Sequence, residues 1–378
     1  MKYIRLSIIL LCFSAVLDAQ QSFFELCLQE RGDVANPPLS SGINKMKSPT
    51  FKEVAGTKYI LMTEHENPGY IIAFDVTDPS SPVRLPGNVT IDNAPNGVSL
   101  DGDFLYTATN TGRLYAVDVS DPSSLGPVHN TTIATNKQLF DVAVNAVASR
   151  AYMAGTTSGS NASGLVVVDV TNPTAMTYQN NIDFNAGGVR TAGDYVYITE
   201  YTGTPSLRVY DISSDPDNPS LASQLNLPGQ PVSVELHPSL NVIYIGDFNN
   251  SLLHTIDIND PNNPAILNST NISGNRQPNF GSMHFINDML LINSIDGIVD
   301  VYDASNGVPG PPLLTKNTGI TNTEVAEVSP DGFYYLTNFS ASPDELSIYQ
   351  LCLCSQLGLC VSGSVTADTF IGDQESPY

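Results

Sequence analysis

The chain has 378 residues, with 15 Lys and Arg against 38 Asp and Glu, a formal net charge of -23, 26 Pro, 28 Gly and no Trp. A field of that sign repels phosphate backbones and anionic headgroups, which counts against nucleic acid as a partner. Hydrophobic residues make up 41% of the chain and charged ones 14%, so the acidity comes from scarce Lys and Arg on a globular composition, not from a disordered acidic tail.

Residues 1–19, MKYIRLSIILLCFSAVLDA, read as a signal peptide: Lys2 and Arg5 precede an apolar run from Leu6 to Val16, and the small Ala19 sits at the cleavage position. The run is well short of the roughly 20 residues a bilayer span needs, and no later segment replaces it. The expectation is a secreted product, extracellular or at the cell surface, without a membrane span. Residues 22–28, SFFELCL, have the length and apolarity of a β-strand.

Six segments then share one pattern, an apolar strand ending in Asp and running into an Asx or Pro turn. They are YIIAFDVTDPSSP (Asp75), RLYAVDVSDPSSL (Asp118), LVVVDVTNPTAM (Asp169), LRVYDISSDPDNP (Asp211), LHTIDINDPNNP (Asp257) and IVDVYDASNGVPGPP (Asp303). A degenerate seventh, LSIYQLCLC, has Gln350 in place of the Asp. Consecutive anchors lie 42 to 51 residues apart, about 46 on average, which is the length of one four-stranded propeller blade. The second unit divides into NGVSL, FLYTATN, RLYAVDV and VHNTTI, parted by the turns DGD, TG and SDPSS. These spacings predict an all-β chain, a single seven-bladed β-propeller of four-stranded antiparallel blades over residues 20–360, followed by a flexible tail at 361–378. Blade seven lacks an outer strand of its own after Gln350, so residues 22–28 are expected to pair with residues 345–351 and close the ring.

The anchored segments resemble the LVIVD repeat, named for an apolar strand before Asp-Val-[ST]-[DN]-Pro, over roughly residues 50–352. The resemblance implies a secreted or cell-surface β-propeller.

Cys27, Cys352, Cys354 and Cys360 lie at the two ends of the expected product, as disulfide partners of an exported chain would. Cys27 is predicted to bond Cys352 or Cys354, with Cys360 taking whichever remains. Seven glycosylation sequons occur, at Asn88, Asn130, Asn161, Asn249, Asn268, Asn271 and Asn338.

The repeated anchor Asp reads as a turn former: its carboxylate accepts backbone N–H groups just beyond it while Pro fixes the turn. Calcium is the alternative tenant, but no D-x-D-x-D-G run is present. His65, His129, His237, His254 and His284 lack local metal-ligand spacing, and His237 in LHPSLN reads as a plain reverse turn. The innermost strands of a propeller line its channel, and their polar members are predicted to be Asp141 in FDVAV, Arg190 in GGVRT, Glu235 in VSVEL, His284 in GSMHF and Glu324 in TEVAEV, with His65 overhanging the opening. No catalytic residue, metal or cofactor is assigned, a divalent cation being the one candidate for the channel. The resulting expectation is a non-enzymatic binding or scaffold module for extracellular protein or glycan partners. The alternative is a lactonase-like hydrolase or lyase with a metal or carboxylate site at the channel mouth.

Overall fold

The computed structural model describes residues 24–36, 46–92, 94–133, 137–157, 164–272, 278, 281–320, 323, 325–338, 344–355 and 360–361. The expected signal peptide, Asn161, Glu324 and residues 362–378 lie outside the described residues, as do the side chains of Cys354 and Cys360.

The chain is an all-β, seven-bladed propeller of antiparallel blades. Blades 1 to 6 occupy residues 46–91, 95–132, 137–182, 185–226, 231–271 and 283–317, and in each the four strands lie side by side in sequence order. Among the described residues the one helical segment is a single 3-10 turn, Pro173–Ala175, capped by Asn172. The first strands of successive blades touch in a closed circuit, which Met46–Val54 completes against Ala326–Val328 of blade 7.

The core is divided among the blade interfaces, and seven apolar clusters serve seven junctions. Tyr106, Ala116, Met153 and Val168 pack blade 2 on blade 3. Ile60, Ile72 and Phe74 of blade 1 meet Tyr335, Leu346 and Ile348 of blade 7. A strand sandwiched between two blades is buried on both faces, so Val242–Asp247 is buried throughout, while the outer strand Ser220–Asn226 is mostly exposed.

Blade 7 is built from both ends of the chain. Phe24–Asn36 is its outer strand and pairs antiparallel with Asp344–Ser355. The register differs from the expected one: Leu28 faces Leu351 and Phe24 faces Ser355, while Asn36 reaches Asp344. QERGDVAN forms the second half of this strand around a β-bulge between Glu30 and Gly32. At the bulge Arg31 donates from Nε and Nη2 to the Gln350 side-chain carbonyl at 2.9 and 2.5 Å. The residue that replaces the anchor Asp thus binds the closing strand, and the chain runs on without a turn. A Cβ on Gly32 would lie 2.4 Å from the Pro79 carbonyl oxygen, so only glycine lets the bulge approach blade 1 so closely. The blade also carries a fifth, two-residue strand, Cys360–Val361, with Cys360 opposite Cys354. Cys27 faces Cys352 across the closing pair with the sulfurs 2.9 Å apart.

Candidate functional site: the central channel and the turn-bearing end

Strand pairing defines one equivalent channel position in every blade. The first-strand residues Thr50, Ser99, Ala143, Arg190, Glu235, His284 and Glu327 face Leu61, Tyr106, Tyr152, Tyr197, Tyr244, Leu291 and Tyr335 of the second strands. All seven line one cavity of about 630 Å³. His65 and Asp141 line it as well, so five of the residues singled out from the sequence are brought together there. Among the described residues blade 7 contributes Glu327 to the cavity, and Glu324 lies outside them.

Arg190 ties three blades together. Its Nη1 contacts Asp141 Oδ2 at 3.0 Å and its Nη2 contacts Glu235 Oε2 at 3.1 Å. Asp141 also accepts from the backbone N–H groups of Val142 and Val189, and Glu327 Oε1 accepts from that of Val328 at 2.8 Å. Burial pushes the Glu235 carboxyl up while the Arg190 guanidinium beside it pulls the other way. Glu327 has no such partner: burial pushes its carboxyl up to about 7, its own backbone bond opposes this, and the Glu235 charge adds to it. His284 is pushed down to about 4 by burial, although its Nε2 bonds the Gly281 carbonyl at 2.8 Å, with the Arg190 charge adding to the shift. At neutral pH it is a neutral imidazole. At the mouth, His65 Nδ1 lies 3.0 Å from the Pro95 carbonyl.

The remaining histidines sit elsewhere. His129 is on an outer strand. His237 Nδ1 accepts from the N–H groups of Ser239 and Leu240 and its Nε2 donates to Ala304 O at 3.0 Å, so the reverse turn also pins blade 5 to blade 6. His254 bonds the Ser269 hydroxyl and lies 3.9 Å from Asp247, a carboxylate already committed to the N–H groups of Gln230, Asn249 and Asn250. Among the described residues no group of three His, Cys, Asp or Glu side chains is placed to hold a metal ion.

The anchors Asp75, Asp118, Asp169, Asp211, Asp257 and Asp303 all end third strands and so lie on one flat end of the ring. Each accepts the N–H two residues on at 2.8 to 2.9 Å. The apolar residue between, Val76, Val119, Val170, Ile212, Ile258 or Ala304, is buried and donates its N–H to the hairpin joining the first two strands. A second Asx turn follows directly, centred on the exposed Asp78, Asp121, Asp215 and Asp260 in four of the blades. Hydrogen bonds from Ser80, Ser120, Ser213 and Asn218 hold Asp78, Asp118, Asp211 and Asp215 below the usual carboxylate range. Three cations at this end are engaged: Lys52 with Asp103, Lys58 with Asp331, and Arg150 with Asp169 and Asp217. The result is a rigid, strongly acidic surface.

Among the described sequons, Asn88, Asn130, Asn268 and Asn271 lie on the outer strands of blades 1, 2 and 5, and Asn249 is in an exposed turn of blade 5. Asn338, by contrast, is buried.

The LVIVD repeat family model matches residues 95–132, 159–183, 185–226 and 239–271. The chain therefore carries four LVIVD repeats, consistent with a propeller family; the units ending at Asp75 and Asp303 fall outside these matches although their sheets fold alike. No curated protein matches the sequence. Among solved structures, the β-propeller domain of Cps50 (Swd1) from Myceliophteria thermophila superposes with a TM-score of 0.60 at 11% identity, covering 84% of this chain and 99% of that one. At that identity the likeness is one of fold alone. No helix among the described residues is long and apolar enough to cross a membrane.

Proposed function

We propose that this LVIVD-repeat propeller is a secreted, non-enzymatic scaffold that holds an extracellular protein or glycan partner on its turn-bearing end. The observation that carries the reading is the doubled Asx turn, which fixes ionised carboxylates at equivalent places around one flat surface with backbone bonds that leave little entropy to lose on binding. Glycans on Asn88, Asn130, Asn268 and Asn271 would mask much of the circumference and leave the ends open. A basic patch on a protein partner, or bridging divalent cations with an anionic glycan, suits such a surface. In an oxidising compartment Cys27 and the C-terminal cysteines would lock the closing strand, a staple that non-reducing peptide mapping would reveal.

The test is capture from the protein's own extracellular fraction, paired with turnover assays on lactones and glycan substrates. Capture that weakens with salt, and no turnover, supports the scaffold. Hydrolysis that disappears in the D141A/H284A/E327A variant would replace it with the enzyme reading.

A further inference from the structure

The channel ring is chemically lopsided. Blades 4 to 7 fill their equivalent positions with Arg190, Glu235, His284 and Glu327, whereas blades 1 to 3 place Thr50, Ser99 and Ala143 there. The wall of the cavity toward blades 1 to 3 includes the partly buried Phe51, Val98 and Phe140, the first two packing also into blade interfaces, beside His65, Asn96 and Asp141. The opening is therefore amphiphilic: Phe51, Val98 and Phe140 contribute apolar wall on blades 1 to 3, and ionisable groups run from Asp141 of blade 3 through Arg190, Glu235 and His284 to Glu327 of blade 7, with His65 on blade 1. On the ionisable side Asp141 and Glu235 share Arg190, while Glu327 has no cation of its own, its bonds coming from Val328 N–H and Thr50. A separate observation points the same way. Asn96 lines the cavity at 1% exposure, and its Oδ1 is a buried acceptor with no hydrogen-bond partner. It lies three positions before Ser99 on the same strand, about 10 Å at strand rise. The cavity thus offers acceptors and one uncompensated acid, and it lacks a spare cation to bind an anion.

We propose that the channel is a binding site for a small primary ammonium compound with an apolar body, the ammonium seated between Glu327, Glu235 and Thr50 and the body against Phe51, Val98 and Phe140. A monovalent ammonium fits better than a metal ion, because the carboxylates stand on separate blades and converge too loosely for inner-sphere coordination. An ammonium instead needs two or three acceptors at hydrogen-bond distance and gains from an aromatic face nearby. The site is independent of the turn-bearing end and leaves the scaffold reading untouched.

The groups that face Glu327 are Glu235, Arg190, Thr50 and Tyr335, with Arg190 the one cation and already shared. His284 is neutral above pH 6. Glu327 titrates near 7, so its ionised fraction, and with it the affinity for an ammonium, should rise about tenfold from pH 6 to pH 8 while the ligand itself stays protonated.

The experiment is calorimetric titration of the intact protein with 2-phenylethylamine, alongside 2-phenylethanol and 3-phenylpropionate as the neutral and anionic shape controls. One-to-one binding of the amine alone is expected, about tenfold tighter at pH 8 than at pH 6, with E327Q weakening it and flattening the pH profile. S99F, which fills the cavity from the other side, should abolish binding and keeps the proposal testable if E327Q folds poorly. Equal binding of either control, an amine affinity that E327Q and S99F leave unchanged, a calcium heat in place of the amine heat, or no amine binding at all would each overturn it.

Discussion

Two sets of carboxylates in this ring behave in opposite ways. At the turn-bearing end the same Asp recurs in six blades with the same partner, the N–H two residues on, whereas the equivalent channel positions differ from blade to blade and meet across blades. The difference teaches where the fold dictates chemistry. A blade needs its third strand to stop and turn, so the anchor is repeated by structural necessity. The channel position needs nothing beyond a side chain that tolerates the lumen, so Arg190, Glu235, His284 and Glu327 are choices the blade does not force.

The sharpest way to break the contrast is to remove the one residue that joins channel carboxylates of different blades. Arg190→Ala leaves Asp141 and Glu235 facing each other without their shared cation. Stranding buried charges costs 3 to 5 kcal/mol, but channel water still reaches these side chains, so urea unfolding should show a loss of about 2 kcal/mol at pH 7. The loss should shrink at acid pH as the Glu235 carboxyl, which burial pushes up, takes up a proton.

A smaller effect concerns Glu64, which is fully buried at the end of a second strand with neither oxygen hydrogen-bonded; burial raises it to about 7 against the pull of Arg84. The unfolded chain ionises this group near 4.5, so between that pH and 7 the folded state holds a proton the unfolded state has lost. Stability therefore falls as pH rises through this window. Glu64→Gln should flatten the fall and leave the protein about 1 kcal/mol more stable than wild type at pH 8, as read by melting curves from pH 5 to 8.

The smallest effect belongs to the repeated set. Asp118→Ala removes one turn acceptor and leaves Ser120 N–H to water, since that residue is exposed. A cost of about 1 kcal/mol or less is expected, and Asp118→Asn should recover most of it because an amide oxygen accepts the same bond. A loss in Asp118→Ala as large as that in Arg190→Ala would erase the distinction between the two sets.

What the sequence disclosed follows the same division. The recurring anchor Asp announces six of the seven units because the turn chemistry is local, contained within three or four residues. Channel residues were legible where one ionisable side chain stands in a first-strand segment, as for Arg190 in GGVRT, Glu235 in VSVEL and His284 in GSMHF. At blade 7 the sequence offers two glutamates three residues apart, and only strand register shows that Glu327 faces Tyr335, while Glu324 lies outside the described residues. The closing strand was half legible: SFFELCL looks like a strand, but QERGDVAN becomes one only through pairing with Asp344–Ser355 and the contact of Arg31 with Gln350, which are non-local. Burial of Asn338 is likewise tertiary and leaves no mark on the sequon.

The central claim is that partners engage the turn-bearing end and not the channel. It is tested most directly by measuring the affinity of the captured partner for two variants, D78N/D121N/D215N/D260N and D141A/H284A/E327A, at about 50 and about 500 mM salt, conditions that shorten the Debye length roughly threefold. The account predicts that the turn variant binds at least about tenfold more weakly at low salt and loses most of its salt dependence, while the channel variant binds as wild type. Full binding by the turn variant together with loss in the channel variant would contradict it.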